Sequence, residues 1–410
     1  MSSKMIRFPR RSPFGLRRAK DTPKTVVLTL LSASAFVFLV YDSRLSSTPK
    51  NAEGMPAEVR TVCITEQPES VKGKRNRRFR GPESIIILIG NYRDSRRCSE
   101  TLKSLFSNAV NPDNLKVAIY DQIYLQQGEE RCVDVFCNLV GKSNCFRDQI
   151  VNKTADAANA TGPTRARYEI EKFIGDEQFC LSVDSHVTFV DRWDQKLLLD
   201  WFALANKKAI LTVYPKSAPS LVDGASDQVP YMRNAKIESA DADAMVQYGS
   251  AVSIARMPKP RIMSQFAAGF NFGSCEHAKE ARSDPYTPFL FHGEEYSRAA
   301  RLWTRGYDFY APTQDIVFHW YETRKVVWET DWEKRSLIQK KSRRRIRCMM
   351  GLNVSSRDFD EFGLKKFGLG KRRTFAQWQN FTKIDPGDSF DASKDPQFSN
   401  CGELSLVPYK

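Results

Sequence analysis

The stretch Phe179-Cys180-Leu181-Ser182-Val183-Asp184-Ser185-His186-Val187-Thr188-Phe189 decides how this chain is read. Its first half is apolar enough for a short buried strand, and the strand runs into an Asp-x-His pair. In a strand, residues i and i+2 share a face, so a carboxylate and an imidazole at this spacing can project toward one point. One hard oxygen and one borderline nitrogen suit a single divalent cation with coordination positions left open for a diphosphate. The same tripeptide also suits a turn, with Asp184 and Ser185 capping it and His186 an ordinary half-buried histidine. The neighbouring elements have to decide between these readings.

On the N-terminal side, Ser84 to Gly90 (SIIILIG) is a continuous apolar run, the pattern of a strand buried on both faces of a parallel sheet. Asn91-Tyr92-Arg93-Asp94 follows as a polar turn, and Cys98, Leu102, Leu105 and Phe106 then recur with helical spacing. Leu115 to Tyr120 is a second strand. Gly162-Pro163 opens a helix to about Phe173 that carries Arg165 and Arg167, with Pro163 where a first turn tolerates it. Either arginine suits diphosphate oxygens, and either equally suits a surface ion pair. Downstream come a helix around Leu197 to Phe202, a strand Ala209 to Tyr214, an irregular polar region 216–260, and a small-residue and aromatic strand Gln265 to Gly273. Phe291-His292-Gly293-Glu294-Glu295 turns into a helix whose two leading acids read as ordinary complements of the helix dipole. Gly306 to Pro312 and Ile316 to His319 complete the sheet-like region. Trp328 to Met350 reads as a basic helix whose run Lys340 to Arg347 is either a solvated face or a site for phosphate or acidic substrate. Strand, turn and helix in this alternation predict an α/β class, as one big domain or two smaller ones, with the ligand crevice at the strand C-termini.

The chain has 410 residues and a net charge of +15, a value that at first suggests a nucleic-acid partner. The excess is not spread over the domain. Residues 1–24 hold 8 Lys/Arg against 1 acid, residues 42–83 hold 9 against 6, and residues 84–410 hold 46 against 41. That distribution fits membrane-flanking segments and gives no nucleic-acid face. Between the basic segments, residues 25–41 (TVVLTLLSASAFVFLVY) carry no charge. At about 1.5 Å per residue they span roughly 26 Å, close to the hydrocarbon thickness of an early secretory membrane. The expected organisation is a cytosolic tail 1–24, a transmembrane helix 25–41, a stalk 42–83, a catalytic domain 84–385 and a C-terminal tail 386–410. A cleaved signal peptide or an Arg-rich transit peptide is the rival reading of the first segments. All 9 cysteines lie beyond the apolar run, and Cys132, Cys137 and Cys145 lack zinc spacing, so disulfides are expected. The odd count leaves one thiol over, and Cys63 in the stalk is the candidate for a disulfide-linked homodimer. Sequons at Asn152, Asn159, Asn353 and Asn380 agree with a lumenal domain.

In this order the pieces resemble the polypeptide α-N-acetylglucosaminyltransferases, glycosyltransferase family sixty, and more distantly the mucin-type polypeptide N-acetylgalactosaminyltransferases. The resemblance rests on Tyr92-Arg93-Asp94, Gly162-Pro163-x-x-Ala166-Arg167, Asp184-Ser185-His186, Gly293-Glu294 with Arg301-Leu302-Trp303-x-x-Gly306, His319, and Phe367-Gly368-Leu369-Gly370 with Arg373. It implies a GT-A fold, a single Rossmann-like domain on a mostly parallel mixed sheet, with a UDP-sugar donor, a divalent metal, usually Mn2+, and retention of the α-configuration. Carried onto this chain, it makes Asp184, His186 and His319 the metal ligands. Tyr92, Arg93 and Asp94 would lie against the uridine, Arg165 or Arg167 near the diphosphate, and Glu294 at the donor sugar. It further implies UDP-GlcNAc as donor and a Thr/Ser-rich polypeptide as acceptor, in a type II protein of the Golgi or ER membrane. UDP-GalNAc as donor, hydroxyproline as acceptor, and a non-catalytic carbohydrate-binding protein on the same fold stay open as alternatives.

Overall fold

The structure is a computed structural model that describes residues 83–223, 226–322, 326–327 and 331–409, all within the unit Thr65–Lys410. The expected anchor at 25–41, the stalk and Cys63 lie outside the described residues. Among the described residues no helix is long and apolar enough to cross a membrane.

Strand Ile85–Tyr92 is the axis of the domain. Its odd and even residues feed two different cores: Ile85, Ile87 and Ile89 pack with Cys98, Leu102 and Leu105 of helix Ser95–Ser107, while Ile86 and Leu88 pack with Ala166 and Ile170 of helix Pro163–Glu171. A strand covered on both faces has no use for alternation, which is why the sequence is apolar without a break. Leu115–Ile123 and Phe179–Asp184 flank it in parallel, and Ile150–Asp156 extends the same parallel run. Beyond Phe179–Asp184 the sheet turns mixed, in the order Phe270–Ser274, Ala209–Thr212, Asp308–Ala311, Arg261–Met263. Phe270–Ser274 lies antiparallel to both of its neighbours, and Asp308–Ala311 returns to parallel pairing with Ala209–Thr212. The expected α/β class and large parallel-rich sheet are thus present.

Disulfides fasten this frame. Cys98–Cys132 joins helix Ser95–Ser107 to helix Cys132–Val140, Cys137–Cys145 closes the end of the latter, and Cys180–Cys275 crosses from the metal-motif strand to the residue after Phe270–Ser274. Cys401 is disulfide-bonded as well. The free thiol among the described residues is Cys348, on the basic helix; Cys63, the expected candidate, lies outside them.

Several elements differ from the sequence reading. The region 216–260 is not irregular: it holds strands Gln228–Tyr231 with Val252–Ala255, and Asn234–Ile237 with Val246–Tyr248. Only residues from Phe270 onward are strand in the stretch expected to run from Gln265; Ala267 to Gly269 form a turn, bound by Thr212 and Asn271, because Gly269 has to pass against Asp184. Within the expected C-terminal tail, Phe398–Ser399 pairs with Asn234–Ile237, and Leu404 and Val407 pack on the main core. The basic helix, Trp332–Met349, is paired within the molecule: Lys340 with Asp241, Lys341 with Asp358, Arg343 with Glu238, Arg344 with Asp243 and Arg345 with Asp284. Its charge is spent on folding contacts, since a buried cation such as Arg345 needs a carboxylate beside it.

Candidate active site

Asp184 is the last residue of its strand, and the chain bends at Ser185 and His186 before a second short strand, Val187–Phe189. His186 therefore reaches the same point as Asp184 through a bend, not through strand periodicity. Thr101 of helix Ser95–Ser107 pins this bend, its hydroxyl lying 3.0 Å from Ser185 O, 2.8 Å from Val187 O and 3.0 Å from Val187 N. His319 does not enter the main sheet beside Asp184. It arrives on Val317–His319, which pairs antiparallel with Val187–Phe189 in a separate three-stranded sheet, His319 opposite Val187, and Trp320 N–H donates to His186 O. The bend consequently holds both ends of the site in one hydrogen-bonded ladder.

The three side chains converge. One donor atom from each of Asp184, His186 and His319 lies within 4.8 Å of the others. His319 Nε2 is 3.2 Å from Asp184 Oδ2, and the two imidazole rings meet edge to face with centroids 4.7 Å apart. Burial pushes the Asp184 carboxyl up, but the hydrogen bond from His319 and the charges of His319, His186 and Arg167 outweigh it and hold the group far below the usual carboxylate range. The carboxylate is thus held ionised at neutral pH, as a metal ligand must be. One carboxylate oxygen and two imidazole nitrogens fit a divalent first-row cation such as Mn2+.

Arg167 stands beside this cluster. Its Nη1 donates to both oxygens of Glu294 at 2.7 and 2.9 Å, and its Nη2 lies 3.5 Å from Asp184 Oδ1. Glu294 is the first residue of helix Glu294–Trp303, entered through Gly293 at φ +87°, where a β-carbon would also strike Met245. Burial raises the Glu294 carboxyl, and the Arg167 guanidinium partly offsets that. Arg165 points elsewhere, pairing with Glu169 at 3.0 Å; of the two arginines, the fold brings only Arg167 to the cluster. The reason is helical geometry: residues two apart face nearly opposite ways, and Ala166 and Ile170 fix which face packs on the sheet.

Tyr92, Arg93 and Asp94 do gather at the end of the first strand, with different surroundings. Tyr92 packs on Ala160, Phe289 and Val327, and Arg93 binds Glu129 at 2.8 Å and covers the Tyr124 ring. Asp94 is held by Arg97 at 2.8 Å and stands 3.6 Å from His186 Nδ1, so it faces a proposed metal ligand. Sequence reading missed Glu295 and Tyr214. Burial raises the Glu295 carboxyl to about 7, against the hydrogen bonds from Tyr214 Oη and the Ala268 N–H that lower it. Two adjacent acids after Gly293 were a signal, but they suited a helix start equally well.

A family model for Glycosyltransferase (GlcNAc) matches residues 134–388, more than half of the chain. The chain belongs to that family, and it is a glycosyltransferase of the hexosyl-transferring class. No curated protein matches it. Solved structures similar to it include GalNAc-T7 with UDP, GalNAc and Mn2+, 14% identical with a TM-score of 0.44 over 72% of this chain and 56% of that one. Another is S. aureus TarS with UDP-GlcNAc, 12% identical, TM-score 0.41, over 69% of this chain and 70% of that one. A third is mannosyltransferase PcManGT from Pyrobaculum calidifontis with GDP-Man and Mn2+, 9% identical, TM-score 0.37, over 63% and 61%. The chain thus spans little more than half the length of the GalNAc-T7 chain.

Proposed function

We propose that this chain is a retaining, metal-dependent transferase of GT-A type, of the polypeptide α-N-acetylglucosaminyltransferase family. It moves N-acetylglucosamine from UDP-GlcNAc to a Thr or Ser hydroxyl of a polypeptide, as a type II membrane protein with its domain in the Golgi or ER lumen. The observation that carries the reading is the meeting of Asp184, His186 and His319 next to the Arg167–Glu294 pair. The family match supports the sugar. The uncharged run 25–41 and the disulfides support the topology.

A divalent cation held by Asp184, His186 and His319 would supply positive charge against a leaving diphosphate. Arg167, within reach of both Asp184 and Glu294, can turn one face of its guanidinium to a phosphate oxygen while keeping the other on Glu294. Glu294 is mostly buried, so its charge acts through little water on a sugar carbon that becomes cation-like as the leaving bond lengthens. Front-face attack by the acceptor hydroxyl and a double displacement both suit this arrangement.

The test is a donor and acceptor screen on the full chain with Mn2+, a panel of UDP-sugars, and Thr-rich, Ser-rich and hydroxyproline peptides. Transfer from UDP-GlcNAc to Thr or Ser peptides is expected. Preference for UDP-GalNAc or hydroxyproline would replace those parts of the reading, and UDP binding with no transfer would favour a carbohydrate-binding role.

A further inference from the structure

The cluster of metal-ligating side chains rests on a turn, and that turn is tied to the second acid of the Gly293-Glu294-Glu295 sequence. Ala268 N–H donates to Glu295 Oε1 at 2.8 Å, and Tyr214 Oη donates a short hydrogen bond to Glu295 Oε2. The next residue, Gly269, accepts the Asp184 N–H through its carbonyl at 3.2 Å, and a β-carbon there would lie 2.6 Å from Asp184 Oδ2. The backbone of Ala268-Gly269 is therefore the floor under the Asp184 carboxylate, and Glu295 holds that floor from below. Tyr214 extends the tie to the opposite ligand. Its neighbour Pro215 accepts from Tyr321 Oη at 2.9 Å, and the Tyr321 ring packs at a tilt against the His319 ring, centroids 4.0 Å apart.

We infer that Glu295 is a positioning residue that sets the distance between Asp184 and His319 through the Ala268-Gly269 turn and Tyr214. Consecutive helix residues point about 100° apart, so one helix start can give Glu294 to the sugar-facing side and Glu295 to the scaffold. The inference rests on the metal-site reading above. It assigns Glu295 a task different from that of Glu294: the carboxylate acts as a two-point hydrogen-bond acceptor, and its negative charge is not required at the reacting atoms.

Glu295→Ala, Glu295→Gln and Tyr214→Phe should be compared for Mn2+ binding by electron paramagnetic resonance on the folded full chain, and for kcat and KM. Glu295→Ala leaves the Ala268 N–H without an acceptor and should weaken Mn2+ binding by about 10- to 100-fold, the cost of losing a group that orients a ligand. Glu295→Gln keeps an acceptor for Ala268 and a partner for Tyr214, and should restore most of that affinity. Tyr214→Phe removes one of two contacts and should show a smaller loss; it carries the test if Glu295→Ala does not fold. Unchanged Mn2+ affinity in folded Glu295→Ala, or in Tyr214→Phe where the former fails to fold, overturns the inference. So does Glu295→Gln with normal Mn2+ affinity and abolished turnover, which would place the charge at the substrate. Asp184→Asn separates the two readings: if it binds Mn2+ like the wild type, the metal site itself is wrong, whereas if only Asp184→Asn loses Mn2+ the positioning role fails alone.

Discussion

A β-carbon on residue 269 would stand 2.6 Å from Asp184 Oδ2 and 3.0 Å from Asp184 Cγ, whereas ordinary contacts begin near 3.4 Å. Gly269→Ala therefore forces the carboxylate oxygen to withdraw by about 0.8 Å, the difference between 3.4 and 2.6 Å. Metal–ligand distances tolerate roughly 0.2 Å, so the displaced oxygen leaves coordination range. Loss of a well-placed ligand should lower Mn2+ affinity by at least 10- to 100-fold, about 1.4 to 2.7 kcal/mol. The fold should not share the damage. The atom that must move is the end of a side chain 29% exposed, and the backbone of Gly269 is outside the left-handed region, so alanine adopts it without strain. Gly-to-Ala replacement at such a site even stabilises by about 0.4 to 1 kcal/mol through the unfolded chain. The expected result is a melting temperature within a few degrees of the wild type, since a change of about 1 kcal/mol moves the midpoint of a large domain only slightly. Mn2+ titration should meanwhile show weakened binding, with turnover partly recovered at high Mn2+. Wild-type Mn2+ affinity in folded Gly269→Ala would refute the placement of Asp184 as a ligand, and outright unfolding would refute the claim that the carboxylate can give way.

Chelation should abolish transfer and added Mn2+ restore it; His319→Ala should lose activity at limiting Mn2+, while His277→Ala should bind Mn2+ normally because His277 lies apart, against Ser274 O. Glu294→Gln should cut turnover far more than UDP affinity, since the carboxylate is assigned to charge that develops late; equal losses measured by kinetics and UDP titration would make it a structural partner of Arg167. Burial lowers the His277 pKa from 6.5 to about 4. Its neutral folded form is favoured above 6.5, so stability is lost as pH falls from 6.5 toward 4, by up to about 3 kcal/mol. Urea denaturation of wild type against His277→Gln should show a difference that changes across that window, and a pH-independent difference would refute the assignment. In a glycosylating cell, glycopeptide mapping should find sugar at exposed Asn159, Asn353 and Asn380 but not at Asn152, whose side-chain amide is bound to Asp121; a full set of bare sequons would count against the lumenal orientation.

The sequence by itself determined the elements whose pattern is dictated locally. Ser84 to Gly90 could only be a strand covered on both sides, because an unbroken Ile run leaves no face for water, and Gly162-Pro163 could only open a helix. Asp184 and His186 were legible as a pair for a similar reason: two residues apart in the chain, they cannot end far from one another. What the sequence could not determine is which distant or alternative groups join them. His319 lies 135 residues from Asp184 and reaches it through a small sheet outside the main one, and no local pattern encodes that pairing. Arg165 and Arg167 are interchangeable in the chain, and only the packing of Ala166 and Ile170 on the sheet sends Arg167 inward. Glu295 looked like a dipole complement until the turn at Ala268 and Gly269 was seen above it. Basic residues from Lys340 to Arg345 looked like a free patch until their carboxylate partners, dispersed from Glu238 to Asp358, came together. Periodicity governs what one element presents, but burial and hydrogen-bond satisfaction choose its partners, and those are set only when the chain closes on itself.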